Sequence, residues 1–270
     1  MDKTIIINKI QSIFNETLGN LLPETNNLKI FDTPLIGFGS ANDPLFLEYK
    51  KPGIIGPWYM TPTEWMEGAK TVISIFFPFS DTVKESNRNE STRTGEMWLY
   101  GRVEGQVFIG NTMQKIKEYF EASNINAVVP QSDKRFKVLI AGKGFDEYPD
   151  ISDNVYGSNW SERHAGFVCG LGTFGLSKGL ITKKGMAGRM GSIIINTEIT
   201  PDTREYTDIY EYCINCGVCT DRCLVNAISI GKGKDHPTCD KWLLNTKKLF
   251  APRYGCGLCQ TGTPCESSIP

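Results

Sequence analysis

Long apolar runs are missing from this chain. The longest strongly apolar stretch, Thr71 to Phe79 (TVISIFFPF), is far too short to span a bilayer, so no membrane partner is expected. A leader is missing too. The opening MDKTIIINKIQSIF carries no basic region followed by an apolar core and a small-residue cleavage site. With no sign of export, an oxidising compartment is not indicated, and a soluble, cytoplasmic protein is expected. Charge of one sign is absent as well. Lys and Arg number 29 against 30 Asp and Glu, a net charge of −1. That balance gives no electrostatic reason to expect nucleic-acid or anionic-membrane binding, although a locally basic patch would still leave tRNA open.

What is present in excess is cysteine, and it is placed unevenly. Of nine cysteines, only Cys169 precedes residue 205. The others run Cys213-x2-Cys216-x2-Cys219-x3-Cys223, then Cys239, then Cys256-x2-Cys259-x5-Cys265. In the bacterial ferredoxin pattern the first three cysteines of such a run hold one four-iron cube and the fourth crosses to the other. Applied here, Cys213, Cys216, Cys219 and Cys265 hold one [4Fe-4S] cluster, and Cys223, Cys239, Cys256 and Cys259 hold the second. Zinc is the weaker reading, because it favours two separated C-x2-C pairs at tetrahedral corners. Two details depart from the ferredoxin pattern: Leu224 stands where a proline commonly follows the fourth cysteine, and the Gln260–Pro264 insertion lengthens the loop before Cys265 and Glu266. Cys169, in an apolar stretch, reads as a small buried side chain.

At 270 residues the chain has room for one large domain and a small one. Composition changes near residue 205, which divides it into 1–205 and 206–270. Ile6, Ile10, Ile13, Phe14, Thr17 and Leu21 fall at helical spacing, predicting a helix stopped by Pro23. Phe108, Ile109, Met113, Ile116, Tyr119 and Phe120 predict a second. Leu35–Phe38, Val72–Phe77, 137–141 and 191–196 read as strands. Asn159-Trp-Ser-Glu162 has the form of a capping box opening a helix through Cys169. Strands interspersed with helices predict a sheet covered by helices, an α+β fold.

The segment from Ser161 to Ile195 holds Gly170, Gly172, Gly175 and Gly179 close together. The pattern G-x-G-x-x-G occurs at Gly170, Gly172 and Gly175, but it follows a helix and not a strand, which excludes a dinucleotide fingerprint. Several motifs in order resemble the epoxyqueuosine reductases and their shorter homologues. They are Glu162-Arg163-His164-Ala165, the glycine pattern with Gly191-Ser192 after it, Trp65–Ser74 (WMEGAKTVIS), the fainter Tyr100–Gly105, and Tyr254-Gly-Cys-Gly-Leu-Cys259. Together they cover roughly residues 55 to 265. The resemblance implies a nitroreductase-like, cobalamin-binding domain followed by a small bacterial-ferredoxin-like two-[4Fe-4S] domain. It implies a design shared with the reductive dehalogenases, with electrons passing through the clusters to cobalt. It also implies that Gly170, Gly172 and Gly175 lie against the corrinoid; their plainer reading is a tight turn packing helix to strand.

The tRNA enzymes carry a proton-donating aspartate six residues before the Glu of this pair. Tyr156 stands there instead, with Asp153 three positions upstream, so Tyr156 is the candidate acid. Those enzymes also commonly continue into helical repeats that help grip RNA, whereas this chain stops at Pro270. Glu162 is explained by capping, His164 by packing and His236 by solvation. Arg163 suits a carboxylate or a corrinoid amide. The five tryptophans read as core. Lys183-Lys184 and Lys247-Lys248 are surface charge able to steer an acidic, low-potential ferredoxin or flavodoxin donor. Three functions follow: a corrinoid-dependent reductase of an unidentified substrate, a ferredoxin-type electron-transfer protein without corrinoid, and a true tRNA epoxyqueuosine reductase.

Overall fold

In the computed structural model, which describes residues 2–270, the apolar run becomes the strand Thr71–Pro78, buried at every residue. It pairs antiparallel with Leu35–Ser40 on one side and Gly188–Ile195 on the other, and Ala127–Val128 completes the sheet. Successive side chains of a strand point to opposite faces. Ile73, Ile75 and Phe77 therefore meet the helices Lys3–Glu16 and Glu96–Ala122 on one face, with Phe14 set edge-on to Phe108 at 5.4 Å. Val72 and Phe76 face the other way, toward the helix Glu162–Val168. Helices cover both faces, so the strand is buried throughout and mostly apolar, with only Thr71 and Ser74 polar, instead of alternating. The architecture is α+β.

That last helix is pressed against the sheet by missing side chains. A Cβ on Gly37 would stand 2.3 Å from the Cys169 carbonyl oxygen, so only glycine allows this approach. Cys169 is fully buried there, its thiol donating to the Val72 carbonyl at 3.3 Å.

Three expectations are corrected by local chemistry. The first helix ends at Glu16, well before Pro23, because Thr17 turns to an extended conformation and its hydroxyl donates to the Ile13 carbonyl at 2.7 Å. Leu21 then falls in a short strand pair and is exposed. The expected strand over 137–141 shrinks to Val138–Leu139, paired only with Gly157–Ser158 outside the main sheet. Finally, the cap of the Glu162–Val168 helix is Ser161, which accepts from the His164 amide. Asn159 instead ties two loop segments, accepting from the Lys137 amide at 2.9 Å and donating to the Arg135 carbonyl at 2.8 Å. Ser161→Ala is expected to lower stability by about 1 kcal/mol, read as a shift in the chemical-denaturation midpoint. No change would remove Ser161 as the cap.

The cysteine-rich end is stitched to the sheet region. It comprises a one-turn helix Val218–Asp221, a small hairpin of Ile228–Ser229 with Gly233–Lys234, and the helix His236–Leu249. The Met186 amide donates to the Cys265 carbonyl at 2.9 Å and the Ala187 amide to the Glu266 carbonyl at 3.2 Å. Arg88 pairs with the buried carboxylate of Glu266, and Asn87 donates to Thr261 at 3.0 Å. Among the described residues, no helix is long and apolar enough to cross a membrane.

Candidate functional site

The eight clustered cysteines separate into two groups of four that do not follow their order in the chain. Cys213, Cys216, Cys219 and Cys265 surround a small cavity of about 20 Å³ behind Gly175 and Met186. Cys223, Cys239, Cys256 and Cys259 lie on the wall of a much larger one. Gly217 and Gly257 let the chain turn back between thiols, at φ +79° and +77°, and a Cβ on Gly257 would strike the Trp98 ring at 2.1 Å. The Ala227 amide donates to Cys223 Sγ at 3.2 Å, the kind of bond that favours a thiolate. Burial pushes the Cys219 thiol up to about 12, and Cys259, Cys265, Cys213 and Cys216 around it add to the shift. Burial raises Cys256 likewise, with Cys239 and Cys223 as its thiol neighbours. Crowded thiols of this kind are unfavourable as free thiolates and are relieved by metal. Among the described residues no three ligating side chains converge on the point a single ion would fill. Four thiols to each group is nevertheless a donor set chemically suited to soft metals or iron–sulfur units.

The large cavity occupies about 390 Å³ between the sheet and the cysteine-rich end. At 10–15 Å³ of such space per water, it has room for roughly thirty waters. Its walls carry five cationic side chains, Arg102, Arg163, Arg189, Arg222 and Lys234, and one acid, Glu162. Trp98, Trp160 and Trp242 also line it, so these three are wall as much as core. Arg163 lies deep in the molecule yet is solvent-accessible, because the surface it exposes is the cavity wall. Burial, reinforced by Arg102 and Arg163, lowers Arg189 to about 9.

Glu162 is the residue that sequence reasoning misjudged. Occupying the first helical position after Ser161, it cannot form the reciprocal bond of a capping box. Its side chain is 9% exposed at the residue level, and neither carboxyl oxygen has a hydrogen-bond partner. The Trp160 indole beside it already donates to Ser192 Oγ at 2.9 Å. Burial raises this carboxyl to about 7, with the nearby Ser192 and Trp160 groups opposing the shift. A carboxyl that titrates near neutrality beside a chamber is a chemically useful acid.

The other sequence candidates lie elsewhere. Tyr156 is outside the cavity lining, its ring stacked 6.1 Å from that of His236 near Asp153, Asp235 and Asp240. Asp153 is exposed. Gly170, Gly172 and Gly175 are not among the lining residues: Gly172 lies in a tight strand pair, where a Cβ would meet the Ile181 carbonyl at 1.9 Å, and Gly175 borders the small cavity. His164 is packed between Tyr49 and Phe174, and burial followed by Arg163 and Lys178 lowers it to about 3.

No protein-family model matches the chain, and no curated protein matches its sequence. Solved structures do match. An epoxyqueuosine reductase from Streptococcus thermophilus aligns over 98% of this chain and 66% of its own, at 17% identity and a TM-score of 0.54. An epoxyqueuosine reductase solved with a tRNA-Tyr epoxyqueuosine-modified stem loop aligns over 98% and 65%, at 18% identity and a TM-score of 0.55. A catabolic reductive dehalogenase aligns over 87% and 30%, at 15% identity and a TM-score of 0.50. The chain spans about two thirds of the length of the epoxyqueuosine reductase structures it matches. Identity at this level speaks for architecture alone. On that evidence, the chain has the fold of the epoxyqueuosine reductases.

Proposed function

We propose that the chain is an iron–sulfur reductase in which two [4Fe-4S] clusters carry electrons into the basic cavity. The observation that carries this reading is the shared wall: Cys223, Cys239, Cys256 and Cys259 line the same chamber as Glu162 and Arg189, while the other four thiols lie behind it. A donor of the low-potential ferredoxin or flavodoxin type would deliver electrons at the outer group. In finer terms, residues 1–205 act as a nitroreductase-like domain and 206–270 as a ferredoxin-like one.

The resemblance in motifs brings a corrinoid with it, and the chamber suits one. Gln106, Gln131 and Gln260 on its wall offer amides to a macrocycle fringed with amides. When bound, a corrinoid supplies a strongly reducing, nucleophilic cobalt centre, chemistry that side chains cannot provide. The chain's own contribution is positional and acid–base. The eight thiolates hold the clusters at fixed separation, the glutamines orient, and the Glu162 carboxyl holds a proton at the wall below pH about 7. The substrate is a small molecule or a tRNA-linked base.

Anaerobic reconstitution with iron, sulfide and hydroxocobalamin tests the reading. About eight irons per chain and a corrinoid spectrum surviving gel filtration are expected. Eight irons with no retained corrinoid would make the chain an electron-transfer protein, and zinc in place of iron would end the proposal. Reduced protein is then offered an epoxyqueuosine-modified tRNA stem loop and 3-bromo-4-hydroxybenzoic acid, after the complexes of its structural neighbours. On whichever turns over, Tyr156→Phe is expected to fall far short of the ~10²-fold loss that removing a general acid brings. A loss of that size would return the proton to the tyrosine.

A further inference from the structure

The cationic walls of the chamber exceed what the cluster needs. Resting on the reading of this cavity as the reaction chamber, we propose that it contains an oxyanion site, built on Arg189 and Arg102, for a carboxylate or phosphate group. Five cations and one acid line the space. Arg222 is committed to main-chain carbonyls, donating to Leu258 at 3.0 Å and Asn87 at 3.1 Å. Lys234 and Arg163 each act electrostatically on Cys259, so they balance the thiolate wall. Arg102 and Arg189 remain.

The ion pairs that arginines form in this protein belong to Arg88, Arg93, Arg135, Arg204 and Arg253. Among the described residues, Arg102 and Arg189 form none. Arg189 donates only to the neutral amide oxygen of Gln106, at 2.9 Å from Nε. Arg102 lies over the Tyr254 ring at 4.5 Å, and its Nε is buried without a partner. Two guanidinium groups in one enclosed space repel each other, and a buried donor without an acceptor is costly. Both costs are relieved by an anion with several acceptor oxygens, which the planar guanidinium fork grips better than any other side chain. Below pH about 7 Glu162 does not supply that anion, because burial favours its protonated form.

The test is calorimetric titration of the protein reconstituted with iron and sulfide alone, with inorganic phosphate and with benzoate, at fixed ionic strength maintained by chloride. Saturable binding is expected, weakened about 10- to 100-fold by Arg189→Gln and less by Arg189→Lys, which keeps the charge but loses the fork. Absence of saturable binding, or affinity unchanged from the parent in both Arg189→Gln and Arg102→Gln, would overturn the proposal. Two sources of the group are then distinguished by loading with hydroxocobalamin or with cobinamide, which lacks the nucleotide phosphate. If the corrinoid supplies the oxyanion, cobalamin blocks phosphate binding and Arg189→Gln loses cobalamin while keeping cobinamide. If the substrate supplies it, phosphate binds to the cobalamin-loaded protein. Iron content, measured on the same samples, separates failure of this site from failure of the cluster reading.

Discussion

Replacing Cys223 by alanine is expected to remove one four-iron unit and spare the other, taking iron from about eight to about four per chain. In sequence Cys223 belongs with Cys213, Cys216 and Cys219, four residues beyond the last of them. In space it lies on the large-cavity wall with Cys239, Cys256 and Cys259. Cys265 does the reverse, joining the early run around the small cavity. The two predictions are therefore reciprocal. Cys223→Ala and Cys239→Ala should leave the same electron-paramagnetic signal on reduction, and Cys265→Ala and Cys216→Ala should leave the other. Cys223→Ala matching Cys216→Ala instead would show that ligation follows chain order. The comparison needs no assumption about which cluster has the lower potential.

Glu162→Gln is expected to stabilise the protein and to slow it. The carboxyl rises from its ordinary 4.5 to about 7 in the folded state, while the unfolded chain keeps the ordinary value. Between those two pH values the unfolded state releases a proton that the folded state retains, so stability falls as pH rises. Below about 4.5 both states are protonated and nothing is lost; above about 7 the full penalty stands. At 1.36 kcal/mol per pH unit that penalty is about 3 kcal/mol. Glutamine cannot ionise and fills nearly the same volume. Its denaturation midpoint should exceed the parent's at pH 8, with the difference closing as pH drops toward 4.5. A parent and variant that track each other across that range would show an ordinary, ionised Glu162. If the carboxyl also delivers the proton, turnover drops by ~10² or more in the same variant. Gain of stability with loss of rate is the signature of a group strained for function.

Much of the scaffold was legible because it depends on local pattern. The strand from Thr71 is apolar and ends against Pro78, and the long helix announces itself in Phe108, Ile109, Met113, Ile116 and Phe120, all buried. The division of the cysteines into two groups of four was legible for a different reason: their spacing repeats the bacterial ferredoxin pattern, in which the fourth cysteine of the run crosses over. Glu162 was not. Asn159 read as the opening of a capping box, and only the structure shows that it bonds to Arg135 and Lys137 while Ser161 takes the cap. Once Ser161 takes the cap, Glu162 loses its plain explanation, and its burial against Trp160 and Ser192 depends on a strand some thirty residues later. Arg102 and Arg189 were passed over for the same reason, since sequence shows a charge but not whether a partner stands opposite it. Tyr156 was chosen by counting back from a motif, and counting gives no sight of where the loop sets the ring, which is beside His236 and outside the chamber lining.

The pair of main-chain bonds from Met186 and Ala187 to Cys265 and Glu266 makes the tail an extension of the strand that forms the chamber floor. Metal and architecture consequently share a single hinge. If the cluster proposed for Cys213, Cys216, Cys219 and Cys265 is lost to oxygen, the thiol whose own backbone helps to hold that strand is released, so damage behind the wall is felt in the chamber.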